Sequence, residues 1–223
     1  MLTKILRYGR RHGMRALVRR VAQAVWHDRE YLLYAKTVQA SAVPGEHEDV
    51  HFRIGTPADL AWLVRRWPGE FSYIGPVKAA LEARLAKGET LLIGERPGDE
   101  QDPVYLGWLA RHDFALQAYF GGRVPEGHLC AKNIYVFPAH RRRGVARRAQ
   151  EFAEGVAAKR GVHTLWAFVL PENDPSRGLH ESLGYAMRAR VVFRQRLGRP
   201  SAVVLEGGAH RRVGLAGMTG HVA

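Results

Sequence analysis

Residues 136 to 146 read Val136-Phe137-Pro138-Ala139-His140-Arg141-Arg142-Arg143-Gly144-Val145-Ala146. An apolar run precedes this segment and a helical pattern follows it, so it joins a strand to the N-terminus of a helix. A helix start presents N–H groups that have no intrahelical acceptor, together with a partial positive charge. Gly144 lets a ligand approach the backbone closely, and Arg141, Arg142 and Arg143 add charge. The chemistry this suits is the binding of a pyrophosphate or a similar anion.

The order Val-x-Pro-x-x-Arg-x-x-Gly-x-Ala resembles the acyl-CoA-binding signature of the GNAT superfamily of N-acetyltransferases. A second stretch, Asn173-Asp174-Pro175-Ser176-Arg177-Gly178-Leu179-His180-Glu181-Ser182-Leu183-Gly184-Tyr185, is similar to that superfamily's closing motif, and the two arrive in family order. The resemblance covers about residues 50–197. It implies an α/β (α+β) fold with a mixed central sheet flanked by helices, in which two strands splay apart to admit pantetheine. It implies acetyl-CoA or another acyl-CoA as co-substrate, with Val136, the backbone of Arg142, Arg143, Gly144, Val145 and Ala146, the charge of Arg141, and Asn173 as cofactor-binding residues. The reaction implied is direct attack by a primary amine on the thioester. In many relatives a tyrosine protonates the departing sulfur; His180 stands at the matching position, and an imidazole with a pKa of about 6.5 is able to do that work. For the base that deprotonates the amine the candidates are Glu126, His128 and Asp113, or a water chain with no dedicated base. Glu70, Phe71 and Tyr73, in the loop between the first two helices, are candidates for the acceptor pocket; aromatics at helical spacing are more often core.

Other readings are weaker. His128-x-Cys130 resembles a metal pair, but no second cluster has closed-site spacing, and no metal is expected. A catalytically degenerate acyl-CoA-binding scaffold and a basic nucleic-acid or membrane-surface protein are the alternatives in function. No helix-turn-helix, zinc-finger or aromatic RNA-binding signature supports specific nucleic acid.

Strands are expected over residues 50–54, 90–95, 104–112, 129–137, 164–170 and 188–197, with a possible strand over 30–38. Helices are expected over 57–67, 76–87 and 141–159, and a short one from Asp174 to the glycine at 184. Thr56-Pro57 is a well-formed helix start, because the hydroxyl accepts an orphan N–H and proline lacks one. The organisation read from this pattern is a basic amphipathic helical extension over 1–48, an acyltransferase domain over 49–198 and a loosely held tail over 199–223.

The chain has 223 residues, 25% of them charged, a formal net charge of +13 and a single cysteine. Such a length suits one domain with extensions. The charge favours anionic partners without specifying a fold. One cysteine excludes an intramolecular disulfide, and neither a signal peptide nor a spanning segment is evident, so a cytoplasmic protein is expected. The apolar face of the N-terminal helix is read as packing on the domain, with peripheral contact to an anionic membrane as the second reading.

Overall fold

The computed structural model describes residues 26–39, 49–66, 77–111, 113–196 and 199–214. The basic helix expected over 1–26, Glu70, Phe71 and Tyr73 lie outside the described residues, apart from Trp26 at the helix's end.

The described residues build one nine-stranded sheet with helices on both faces. In chain order the elements are β1 Trp26–Thr37, β2 His51–Ile54, α1 Leu60–Arg66, α2 Val77–Ala86, β3 Thr90–Arg96, β4 Asp99–Ala110, α3 Phe114–Phe120, β5 His128–Val136, α4 Val145–Lys159, β6 Thr164–Val169, α5 Asp174–Ser182, β7 Ala186–Arg196, β8 Arg199–Glu206 and β9 Ala209–Gly214. Across the sheet the strand order is β2-β3-β4-β5-β6-β1-β7-β8-β9. Every neighbouring pair is antiparallel except β5 and β6, which run parallel.

Two features differ from expectation. The stretch expected as a loose tail from residue 199 instead forms β8 and β9, with Ala202 and Val204 buried at alternate positions, the mark of a half-covered strand. The possible strand in the N-terminal extension is β1, and it lies inside the sheet, hydrogen-bonded to β6 on one side and β7 on the other. The sheet therefore extends past both ends of the 49–198 segment.

Alternation of side chains sorts the core into two faces. Leu32 and Tyr34 of β1, Leu92, Tyr105, Leu109, Ala131, Leu165 and Ala167 meet Val145, Ala149, Ala153 and Val156 of α4. On the other face Leu91, Ile93, Leu106 and Trp108 pack under α1 and α2. Farther along that face, Tyr31, Leu33, Cys130, Trp166, Val191 and Phe193 pack under α3. The first of these helices is pinned by Arg53 of β2, which donates to both oxygens of Asp59 at 2.9 and 2.6 Å and to both oxygens of Glu95 at 2.8 and 2.7 Å. Burial pushes the Asp59 carboxyl up, but the bonds from Arg53, Thr56 and Trp62 more than reverse this and hold it well below the usual carboxylate range.

One irregularity governs the middle of the sheet. The β4–β5 register shifts between Leu106 and Trp108, so that Asn133 and Ile134 together oppose Gly107. Asn133 has φ 51°, in the left-handed region, which makes this a β-bulge. Opposite it, a Cβ on Gly107 would fall 2.1 Å from the hydroxyl oxygen of Tyr105, whose ring is itself buried. Gly107→Ala is therefore expected to destabilise the fold by about 1–3 kcal/mol, the usual cost of overpacking a well-filled core. Urea denaturation measures it, and an unchanged midpoint would show that Tyr105 yields without cost.

Candidate functional site

β5 and β6 hydrogen-bond only from His128 opposite Thr164 to Ala131 opposite Ala167. Beyond that point β5 continues beside β4 as far as Val136, while β6 continues beside β1 as far as Val169. The strands diverge just before the bulge at Asn133. A wedge thus opens between the C-terminal halves of β5 and β6, with α4 and α5 on the face above it.

The segment after β5 closes one end of the wedge. Pro138–His140 forms a single 3-10 turn, and the chain then passes through Arg142 at φ 60° and Gly144 at φ 72° into α4. The two left-handed residues turn the backbone so that the first N–H groups of α4 face outward, where the helix itself has no acceptor for them. Val145 is buried and anchors the helix start, while Arg142, Arg143 and Gly144 are exposed. Nothing lies within 4 Å of where a Cβ on Gly144 would sit. Beside the loop is an open cleft of about 630 Å³ whose lining includes Asp49, Arg96, Asp102, His140, Arg143 and Val145.

Not every expected cofactor residue has a free hand. Arg141 donates from Nε to the Val136 carbonyl at 3.0 Å, and its guanidinium lies 5.4 Å from the centre of the Tyr135 ring, so it braces the turn. Asn173 caps α5, its Oδ1 accepting the Ser176 N–H at 3.2 Å. Its Oδ1 is thus given to the helix cap.

His180 lies in α5 and is 1% exposed. Its Nδ1 is 2.7 Å from the Ser176 carbonyl oxygen. A carbonyl only accepts, so Nδ1 carries the proton and the neutral ring's Nε2 is bare; that atom is buried without a hydrogen-bond partner. Burial lowers the pKa of the imidazole, with the Ser176 bond opposing. The ring stacks on Tyr34 at 6.2 Å and meets Tyr185 edge-on at 5.1 Å. This geometry runs against the expected donor role, because a second proton would have to enter an apolar setting first.

The three expected bases are dispersed. His128 sits at the closed end of the β5–β6 pair, five residues before the bulge and therefore roughly 16 Å away along an extended strand. Its Nδ1 accepts the Trp166 indole N–H at 2.8 Å, and burial, with His163 beside it, lowers its pKa. Glu126 is near the same end, 87% exposed and 3.3 Å from Arg111. Neither stands at the wedge, the place expected of both: the entrance of β5 is its far end from the loop that leads into α4. Asp113 caps α3 by accepting the Ala115 N–H at 2.8 Å, and Lys132 lies 3.6 Å from it. Burial pushes the Asp113 carboxyl up, and Lys132 offsets this only in part.

A group that sequence reasoning missed lies at the bulge itself. Arg84 of α2 donates to Glu89 at 2.6 Å and to Asn133 Oδ1 at 3.0 Å, and Lys132 stands 3.3 Å from Glu89. The available signal was Lys132-Asn133 interrupting the otherwise apolar run from Leu129 to Val136. A charged residue at a position of β5 that faces the interior calls for a partner.

Comparison with known proteins adds a separate line of support. A family model described as the acetyltransferase (GNAT) family matches residues 62–185. Over 118 residues the chain is 28% identical to the aminoglycoside N(6')-acetyltransferase type 1 of Salmonella typhimurium, covering 50% of this chain and 78% of that protein. Over 113 residues it is 28% identical to the L-amino acid N-acyltransferase MnaT of Escherichia coli, covering 51% of this chain and 59% of that protein. A solved GCN5-related N-acetyltransferase from Sphaerobacter thermophilus matches with a TM-score of 0.57 at 17% identity, over 83% of this chain and 57% of that one, a likeness of fold. The chain spans little more than half the length of the last two proteins.

His128 and His180 both bind a proton less readily in the folded chain than in the unfolded one. Their contribution to stability is complete above the unfolded value of about 6.5 and is lost as pH falls through the lowered folded values. The thermal midpoint is expected to drop between about pH 7.5 and about pH 5.5, and His180→Phe to flatten that slope. A wild-type midpoint constant over this window would contradict the weakened proton binding of both rings.

Proposed function

The chain belongs to the acetyltransferase (GNAT) family, and from that premise we propose that it transfers an acetyl or other acyl group from acyl-CoA to a primary amine. The observation that carries this reading is the parting of β5 and β6 beyond Ala131, directly before the outward-facing N-terminus of α4. A strand edge released from its neighbour offers N–H and C=O groups to an extended, amide-bearing ligand, and the helix start offers N–H groups to an anion. Pantetheine followed by pyrophosphate has those two chemistries in that order. The residues present fit the group: Gly144 leaves open space at the turn, and Arg142 and Arg143 are exposed beside it. When bound, acyl-CoA supplies an activated carbonyl; the chain orients it and shields it from water.

The acceptor is proposed to enter on the sheet face away from α4, between α2 and α3, where the side chains of β5 at the bulge point. An amine acceptor agrees with the names of the relatives, which act on an aminoglycoside and on L-amino acids. Glu89 and Asp113, the carboxylates beside the bulge, are already paired with Arg84 and Lys132. Asp113 also caps α3, so both carboxylates are already held in place by other groups, and we assign deprotonation of the amine to water at the wedge mouth instead of to a dedicated side chain.

Two substitutions test this reading. Gly144→Glu places a side chain and a negative charge on a left-handed backbone position beside the proposed pyrophosphate site, and acetyl-CoA affinity is expected to fall at least about tenfold by calorimetry. Equal affinity in both proteins would sink the acyl-CoA site. His180→Phe keeps the ring and removes the acid; kcat for CoA release is expected to stay within about threefold, whereas a loss of about a hundredfold would reinstate His180 as the proton donor.

A further inference from the structure

The bulge needs something to hold it. Asn133 at φ 51° occupies a region that most side chains avoid, and asparagine is among the residues that tolerate it best. Tolerance alone does not hold one conformation. Slipping Asn133 back into extended geometry would move every later β5 residue to the opposite face, Val136 included. The edge facing the wedge, and the angle at which the chain enters the 138–140 turn, both depend on that residue staying in place.

Arg84 is built to keep it there. Its guanidinium lies 3.9 Å from the centre of the Trp108 ring, its Nε donates to Glu89 Oε2 at 2.6 Å, and its Nη1 donates to Asn133 Oδ1 at 3.0 Å. The side chain is 12% exposed, and Glu89 is 8% exposed. The Glu89 carboxylate is steadied from its other oxygen by Lys132 at 3.3 Å. Ring, carboxylate and amide hold one rigid plane from three sides, a set of contacts that a guanidinium can make together and an ammonium cannot. Trp108 stands opposite Lys132 in the register, beside the shift itself. The strand that carries the bulge is thereby tied to helix α2.

We propose that Arg84 is a positioning residue which, through Asn133 Oδ1, locks the β5 bulge in the conformation that presents the free edge of β5 to acyl-CoA. The inference rests on the acyl-CoA reading above. It concerns how this chain prepares the site, and Arg84 itself is not placed on the ligand.

The lock is tested by coupling. Arg84→Lys keeps the charge beside Glu89, so the buried carboxylate retains a partner, but it cannot stack, pair and reach Asn133 at once. Acetyl-CoA affinity is expected to fall about fivefold to tenfold, within the usual net cost of one hydrogen bond. The KM for acetyl-CoA should rise by the same factor and the KM for the amine should stay unchanged. Asn133→Ala, which removes the bond from its other end and disfavours the left-handed backbone, is expected to weaken binding at least as much. Asn133→Gly adopts that backbone freely. In its background Arg84→Lys is expected to cost less than about twofold, because nothing is left for the lock to hold. Calorimetry with acetyl-CoA on the wild-type chain and these variants reads the values. Unchanged affinity in Arg84→Lys or in Asn133→Ala overturns the proposal, as does an equal loss from Arg84→Lys in both backgrounds. Absence of acetyl-CoA binding in the wild-type chain overturns the acyl-CoA reading instead, whereas wild-type binding with an indifferent Arg84 overturns the lock alone.

Discussion

The hydrogen-bond ladder between β5 and β6 lasts four residue pairs and then ends, and the arrangement of the site follows from that ending. Two parallel strands in mid-sheet would ordinarily stay paired, since each unpaired buried N–H or C=O costs free energy. Here β4 holds one edge of β5 with a register that changes at Gly107, while β1 holds one edge of β6 with no such change. The strands are pulled along different paths by their outer neighbours. The parting is therefore a property of four strands acting together, and the loop that leads into α4 inherits its position from it.

Much of this was legible in the residues. The strand-to-helix passage around Gly144 is where the pattern puts it, and the α4 pattern of Val145, Ala149, Ala153 and Val156 names its own buried face. What could not be read depends on which strands meet. Helix α3, just seven residues beginning after a cap at Asp113, is too short to show a period, and its cap was read as a base. Glu126 lies just before β5 and His128 begins it, and the pattern alone does not say which of the strand's two ends, about 30 Å apart at most, faces the site. His180 lies in the expected short helix, yet its tautomer is set by the Ser176 carbonyl one turn earlier in that helix. Strand β8 does alternate, Ala202 and Val204 in and Ser201 and Val203 half out, but Gly- and Ala-rich surroundings hid it.

Charge is used differently inside and outside. The formal +13 reflects an excess of basic residues, and exposed ones such as Arg142 and Arg143 are screened individually while together attracting anions at a distance. Within the fold the ionic groups are matched. Arg53 faces Asp59 and Glu95, and Arg84 and Lys132 face Glu89 and Asp113. Ion pairs so placed add little net stability compared with apolar residues of similar volume. They do fix geometry, and both sets sit where a helix must be registered against a strand.

The location of β1 has a consequence in time. It is the first described strand to leave the ribosome, and its two partners in the sheet, β6 and β7, come more than a hundred residues later in the chain. About 130 residues must follow before β6 is complete, which at ordinary synthesis rates of 5–20 residues per second is roughly seven to twenty-six seconds. Throughout that interval Leu32, Leu33 and Tyr34, all later buried, have no lasting partner. Contacts of such long sequence separation close slowly even in the finished chain. The apolar centre of β1 therefore stays unpaired until β6 and β7 have been made.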